Sequence, residues 1–118
     1  GVPSELRCVI LESQLLLRDF LELALSRCPG TKLCGSASYS GDAEMLCWAS
    51  RPDILICGRS TSKGTHFPML TRLWRMLPGL RVLLVKNCTS RKGDVLFDRR
   101  ISEIRMENGR ISVLQDFI

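Results

Sequence analysis

Four short strand-like segments, each separated by room for one helix, constrain this chain most. They are Arg7-Cys8-Val9-Ile10-Leu11, Thr31 to Ala37, Ile54 to Cys57, and Val82-Leu83-Leu84-Val85. The first, third and fourth are short apolar runs that suit strands covered on both faces, and Thr31 to Ala37, with more polar residues, supplies the second strand. Between them the apolar spacing changes to that of helices. Leu17, Phe20, Leu21, Ala24 and Leu25 recur at helical intervals, and Cys28-Pro29-Gly30 breaks the pattern. Gly41-Asp42 opens a second helix carrying Leu46 and Trp48, which closes at Arg51-Pro52-Asp53. Leu70, Leu73, Trp74 and Leu77 stand at i, i+3, i+4 and i+7, and Pro78-Gly79 stops that helix. The order β-α-β-α-β-α-β predicts an α/β domain with a parallel sheet and right-handed crossovers.

Beyond Val85 the pattern changes. Asn87 to Asp94 is polar and rich in breakers. Ile104, Met106, Ile111 and Val113 alternate around Asn108-Gly109, the dipeptide that best accepts the positive φ angles of a type I′ turn. A β-hairpin is the favoured reading, with Met106 opposite Ile111 and Ile104 opposite Val113. A short terminal helix over Val113 to Ile118 is the rival. The expected organisation is one domain over residues 1–118, regular over 6–85 and divergent over 86–118.

With 45% hydrophobic and 25% charged residues, the 118-residue chain suits one globular core. No apolar run reaches the roughly 18 residues of a membrane span. Gly1 to Arg7 lacks the basic-then-apolar order of a secretory signal, and a first residue other than Met is expected of a fragment. The six cysteines (Cys8, Cys28, Cys34, Cys47, Cys57 and Cys88) form no Cys-x-x-Cys pair, and His66 is the only histidine. Zinc spacing is therefore missing. Reduced, structural thiols are expected, in keeping with a cytoplasmic location. A smaller branch is redox sensing by Cys57 or Cys88.

The net charge of +5 is uneven. Residues 1–50 carry four Lys/Arg against six Asp/Glu, and residues 51–118 carry thirteen against six. Arg91, Lys92, Arg99 and Arg100 mark a basic surface able to meet nucleic acid or an acidic partner. Aromatic residues interleaved for base stacking are lacking, so a solvated face is the preferred reading.

Three stretches carry a resemblance to a known family. Val9-Ile10-Leu11-Glu12-Ser13-Gln14, with Leu16 and Arg18, resembles the first strand and acidic loop of a bacterial response-regulator receiver domain. Leu33-Cys34-Gly35-Ser36-Ala37-Ser38 resembles the second strand as found in LuxR- and NarL-like regulators. Arg51-Pro52-Asp53 and the apolar residues after it resemble the third. The resemblance implies a flavodoxin-like doubly wound parallel sheet, the receiver fold, with an atypical C-terminal region.

In that family two carboxylates after the first strand and one after the third hold Mg²⁺ through oxygen ligands. The third is also the nucleophile toward a phosphoryl group. A hydroxyl after the fourth strand and a lysine after the fifth stabilise the phosphoryl oxygens. Here the acidic pair becomes Glu12-Ser13, the acceptor becomes Gly58, and the hydroxyl position falls on Lys86. The fifth-strand lysine has no clear counterpart. Neither a metal nor another cofactor is expected.

Two readings of Lys86 stand side by side: an ammonium paired with Glu12 that holds the loops in one state, and a surface lysine at a strand end. The resemblance thus implies a pseudo-receiver, a phosphorylation-independent signalling or interaction domain of an atypical response regulator in transcriptional control. A homodimer, a protein partner or a fused DNA-binding effector domain is expected, with no membrane contact. Direct nucleic-acid binding through the basic half is the alternative. Catalysis is not expected: Ser62-Lys63-Gly64 lacks phosphate-loop spacing, and His66 has no evident nucleophile.

Overall fold

The computed structural model describes residues 5–58, 67–85 and 101–104. Along the chain these form β1 (Leu6–Leu11), α1 (Leu15–Ser26), β2 (Thr31–Ala37), α2 (Ser40–Ser50), β3 (Ile54–Cys57), α3 (Phe67–Met76), β4 (Arg81–Val85) and β5 (Ile101–Ile104). The five strands make one sheet in the order β2-β1-β3-β4-β5, with every neighbouring pair parallel. The predicted sequence of strands and helices through β4 is therefore present. β5 was not resolved by the sequence pattern; it pairs with β4 from Val82↔Ile101 to Val85↔Ile104. The hairpin expected around Asn108-Gly109, and the rival terminal helix, lie outside the described residues, except for Ile104, which ends β5.

Alternate residues of each central strand serve opposite faces. Cys8 and Ile10 of β1, Ile54 and Ile56 of β3, and Leu83 and Val85 of β4 pack with Leu21, Ala24 and Leu25 of α1. Val9, Leu11, Leu55, Cys57 and Val82 point the other way, to Ala43 and Cys47 of α2 and Met69, Leu70, Leu73 and Trp74 of α3. This period of two inside each strand, with helices above and below, is what the near-continuous apolar runs require.

Several tethers fix the edges of the layers. Arg7 Nε and Nη2 donate to the carbonyl of Ser50 at 3.0 and 2.8 Å, satisfying the C-terminal end of α2. Asp53 Oδ2 accepts the Arg7 backbone N–H at 2.9 Å, joining the starts of β1 and β3. The Trp74 indole N–H donates to Leu80 O at 2.9 Å across the turn that leads into β4. Arg72 of α3 grips Glu44 of α2 through two bonds of 2.8 Å, and this holds the Glu44 carboxyl below its ordinary range. At an exposed guanidinium such a pair contributes little.

Two residues counted in the amphipathic patterns stand outward. Phe20 and Trp48 are 47% and 49% exposed, because Leu21, Ala24 and Leu25 on α1, and Ala43 and Cys47 on α2, already fill the contact with the sheet.

The five described cysteines are free thiols, with Cys8, Cys47 and Cys57 buried. Burial pushes each of these three from 9.0 up to about 12. Between those values the folded chain holds protons that the unfolded chain has released, so the contribution of these thiols is full below pH 9 and is lost as pH rises from 9 toward 12. Thermal melts should show a flat midpoint from pH 7 to 8.5 and a steep decline above 9. A Cys57→Val variant should decline less steeply, by about 1.4 kcal/mol per pH unit. Identical alkaline slopes would refute the assignment.

Candidate functional site

The carboxyl ends of β1, β2 and β3 are laced together by two backbone bonds. Glu12 N–H donates to Ala37 O at 2.9 Å, and Gly58 N–H donates to Leu11 O at 2.7 Å. In an open α/β sheet this edge is where ligands bind. It places Glu12 against Gly58, with Ser13 next in sequence to Glu12 and exposed. Lys86, which follows the last residue of β4, lies outside the described residues, as do Arg91, Lys92, Arg99 and Arg100.

Glu12 is the one fully buried charged residue type among the described residues, at 0% exposure. Its side chain lies over Gly58. A Cβ on Gly58 would stand 2.8 Å from both Cβ and Cδ of Glu12, and closer still to Oε1. Gly58 does not adopt positive φ. Space, not backbone conformation, therefore demands glycine here. The absence of an acceptor side chain at position 58 and the inward packing of Glu12 are two sides of one steric fact.

The second carboxyl oxygen of Glu12 is engaged elsewhere. Oε2 accepts the backbone N–H of Gln14 at 2.6 Å. Gln14 is the N-cap of α1 and contributes no side-chain cap of its own. Glu12 thus supplies from upstream the acceptor and negative charge that a helix start favours. Arg18, in the first turns of α1, donates from Nη1 to Glu12 O at 3.3 Å and also to Ser38 Oγ beyond β2. Arg18 ties the loop after β1 to the loop after β2. In the sequence Arg18 and Ser38 belong only to two of the stretches that carry the resemblance, and nothing in their spacing joins them. The one available signal was that Arg18 is the sole basic residue within α1.

This arrangement does not fit a divalent cation. Serine and glycine stand where two of the three carboxylates would be, and Glu12 Oε2 is held by a backbone N–H. No group of three metal-ligating side chains occurs among the described residues. Nor does the edge offer an acceptor oxygen at position 58 for phosphoryl transfer.

The fold itself matches known structures. The chain is similar to the N-terminal domain of an uncharacterized protein from Wolinella succinogenes, with a TM-score of 0.68 and 22% identity over 96% of this chain and 93% of that one. It is similar to the signal receiver domain of NarL from Mycobacterium tuberculosis, with a TM-score of 0.63 and 22% identity over 78% and 73%. A DNA-binding response regulator of the LuxR family from Staphylococcus aureus matches with a TM-score of 0.60 and 18% identity over 74% and 72%. The chain has the receiver fold. No family model and no curated protein sequence matches it.

In this receiver fold the contact between Glu12 and Gly58 should behave as a coupled pair. Gly58→Ala should destabilise by about 1–3 kcal/mol through overpacking. Removing the opposing side chain should relieve that cost. A double-mutant cycle with Glu12→Gly should therefore give a larger coupling energy than one with Glu12→Ala, which leaves the offending Cβ in place. Chemical denaturation of the six proteins supplies the test, and additive effects would disprove the close approach.

Proposed function

We propose that this chain is a phosphorylation-independent signalling and interaction module of the response-regulator kind. It acts in the cytoplasm through dimerisation or partner contact in transcriptional control, and its regulatory output passes to a partner protein or a fused DNA-binding effector domain. The observation that carries this reading is the filled acceptor site, where Glu12 occupies the space above Gly58 that an aspartate would need. The receiver fold supports a signalling role, and the LuxR-family regulator from Staphylococcus aureus described as DNA-binding supports the link to a DNA-binding effector.

A receiver responds to phosphorylation because a local charge biases a two-state element. With the acceptor gone, that input is lost while the packing surfaces remain. The module then sits in one state, and its activity follows its abundance and its partners. Lys86 completes the proposal: its ammonium pairs with Glu12 as a fixed replacement for metal and phosphoryl group. Lys86→Ala and Glu12→Gln should then each lower stability by about 1–3 kcal/mol, as expected when a charged partner of buried Glu12, or the Glu12 charge itself, is removed. Unchanged denaturation midpoints in both variants would eliminate the lock.

Direct nucleic-acid binding through the basic half is not the reading favoured, since its support is the charge of that half alone. The deciding experiment is light scattering with and without Mg²⁺ and acetyl phosphate, joined to intact-mass analysis. The expected result is one molar mass under all conditions and no phosphoryl adduct. A stoichiometric adduct, or a shift in assembly with the phosphodonor, would mean that another residue accepts the phosphoryl group and the reading fails.

A further inference from the structure

Strand direction sorts the charges of this molecule. In a parallel sheet each helix runs back against the strands, so the ends of α1, α2 and α3 lie with the starts of β2, β3 and β4. Backbone bonds hold these segments together. Leu6 N–H donates to Gly30 O at 2.8 Å, Asp53 N–H to Arg7 O at 2.8 Å, and Arg81 N–H to Asp53 O at 3.0 Å. Six of the eight Lys and Arg among the described residues lie at this end: Arg7, Arg27, Lys32, Arg51, Arg75 and Arg81. The other two, Arg18 and Arg72, are engaged with Ser38 and Glu44. Of the described acidic residues, Glu5 and Asp53 are the ones that accompany the six.

Three of the cations meet at one corner. Arg7 donates from Nε and Nη2 to Ser50 O, a neutral acceptor that does not cancel its charge, and this sets its guanidinium beside Arg51. Lys32 pairs with Arg7 on the neighbouring strand, about 4.8 Å away and on the same face of the sheet. Arg51 has φ 48° and ψ 63°, the left-handed conformation that glycine adopts at lower cost. Arg27, Lys32, Arg51 and Arg75 are exposed, and their side chains make no ion pair or hydrogen bond among the described residues. Helix dipoles account for a cation after α1, after α2 and in the last turn of α3. They do not account for Arg7, Lys32 and Arg81, which stand in strands.

The chemistry of this end selects its partner. The exposed large apolar residues all lie outside its connecting segments, 27–30, 51–53 and 77–80. A protein partner binds chiefly through buried apolar and aromatic anchors. A phosphodiester backbone needs spaced cations alone, and guanidinium groups match its oxygens. From β2 to β4 the strand starts span about 14 Å, close to the rise of four phosphates along one DNA strand. In a duplex the bases stay stacked inside, so aromatic partners are not required. We propose that the amino ends of the strands form a surface for the phosphate backbone of double-stranded DNA, held without reading its sequence. This goes beyond the assembly reading and differs from the charge of the basic half, since Arg7, Arg27 and Lys32 belong to the first fifty residues. It also lies at the opposite end of the strands from Glu12 and Gly58.

The test is fluorescence anisotropy of a labelled duplex of about 20 base pairs and mixed sequence, titrated with the full chain between about 50 and 200 mM KCl. The wild type should bind, with affinity falling about 100-fold across that range, as four phosphate contacts require. Arg27→Gln, Lys32→Gln and Arg51→Gly should each weaken binding several-fold and reduce the slope of log affinity against log salt by about 0.9. Arg51→Lys should keep the slope. Arg51→Gly should melt no lower than the wild type, because glycine accepts the left-handed conformation, so its weaker binding is not unfolding. A duplex of unrelated sequence should bind within about twofold. No binding at the lowest salt overturns the proposal. So do unchanged slopes in the three variants while neutralising Arg91, Lys92, Arg99 and Arg100 abolishes binding, which assigns the contact to the basic half. A poly-glutamate peptide that binds more tightly than the duplex overturns the choice of partner. None of these outcomes bears on the phosphodonor measurement, so this surface and the phosphorylation-independent reading fail separately.

Discussion

Two-sided burial of a parallel sheet is the constraint from which the rest of this molecule follows. β1 and β3 carry apolar side chains on both faces, and all four residues of β3 are buried. Neither face can meet water, so helices must lie above and below, and successive strands must be joined by crossovers. That arrangement collects the carboxyl ends of β1, β2 and β3 at one edge. It also sets α1 on one face and α2 with α3 on the other. The thiols of Cys8, Cys47 and Cys57 fit the same logic: they serve as small apolar groups within the two layers.

At the collected edge, a single glycine changes what the fold can do. A side chain at position 58 would have no room, because Glu12 packs over Gly58, and the other Glu12 oxygen takes the N-cap N–H of α1. A buried polar group is tolerated when its hydrogen bonds are made, and here the acceptor capacity of Glu12 is used within the fold. At this edge the Glu12 carboxylate is an internal packing contact.

The architecture through β4 was legible because β1, β3 and β4 are short apolar runs, β2 sits between two helical patterns, and the helices have clear punctuation marks such as Pro29-Gly30 or Pro78-Gly79. β5 was not, because Ile101-Ser102-Glu103-Ile104 mixes polar and apolar residues and sits at a sheet edge, where the two-sided apolar signal fades. The site was half legible. The resemblance pointed to Glu12, Ser13 and Gly58, and the register of β1 with β3 sets Glu12 against Gly58. The inward turn of Glu12 and the bridge from Arg18 to Ser38 were not legible, since both depend on how loops from separate strands meet. Phe20 and Trp48 show the opposite limit: helical spacing reports that a residue is apolar, and the occupancy of the sheet by its neighbours decides whether it is buried.

The filled edge and the outer face of α1 are joined by the helix itself. Glu12 fixes the start of α1 through Gln14, and Arg18 ties its first turns to the loops after β1 and β2. Two residues beyond Gln14, Leu16 stands exposed on the outer side of α1. In a switchable receiver a change at the strand ends would be felt at such a helix start, because packed elements move between discrete arrangements. Here Glu12, Gly58, Gln14, Arg18 and Ser38 are joined to one another by steric contact and hydrogen bonds. The contacts that fill the edge therefore also hold the start of α1.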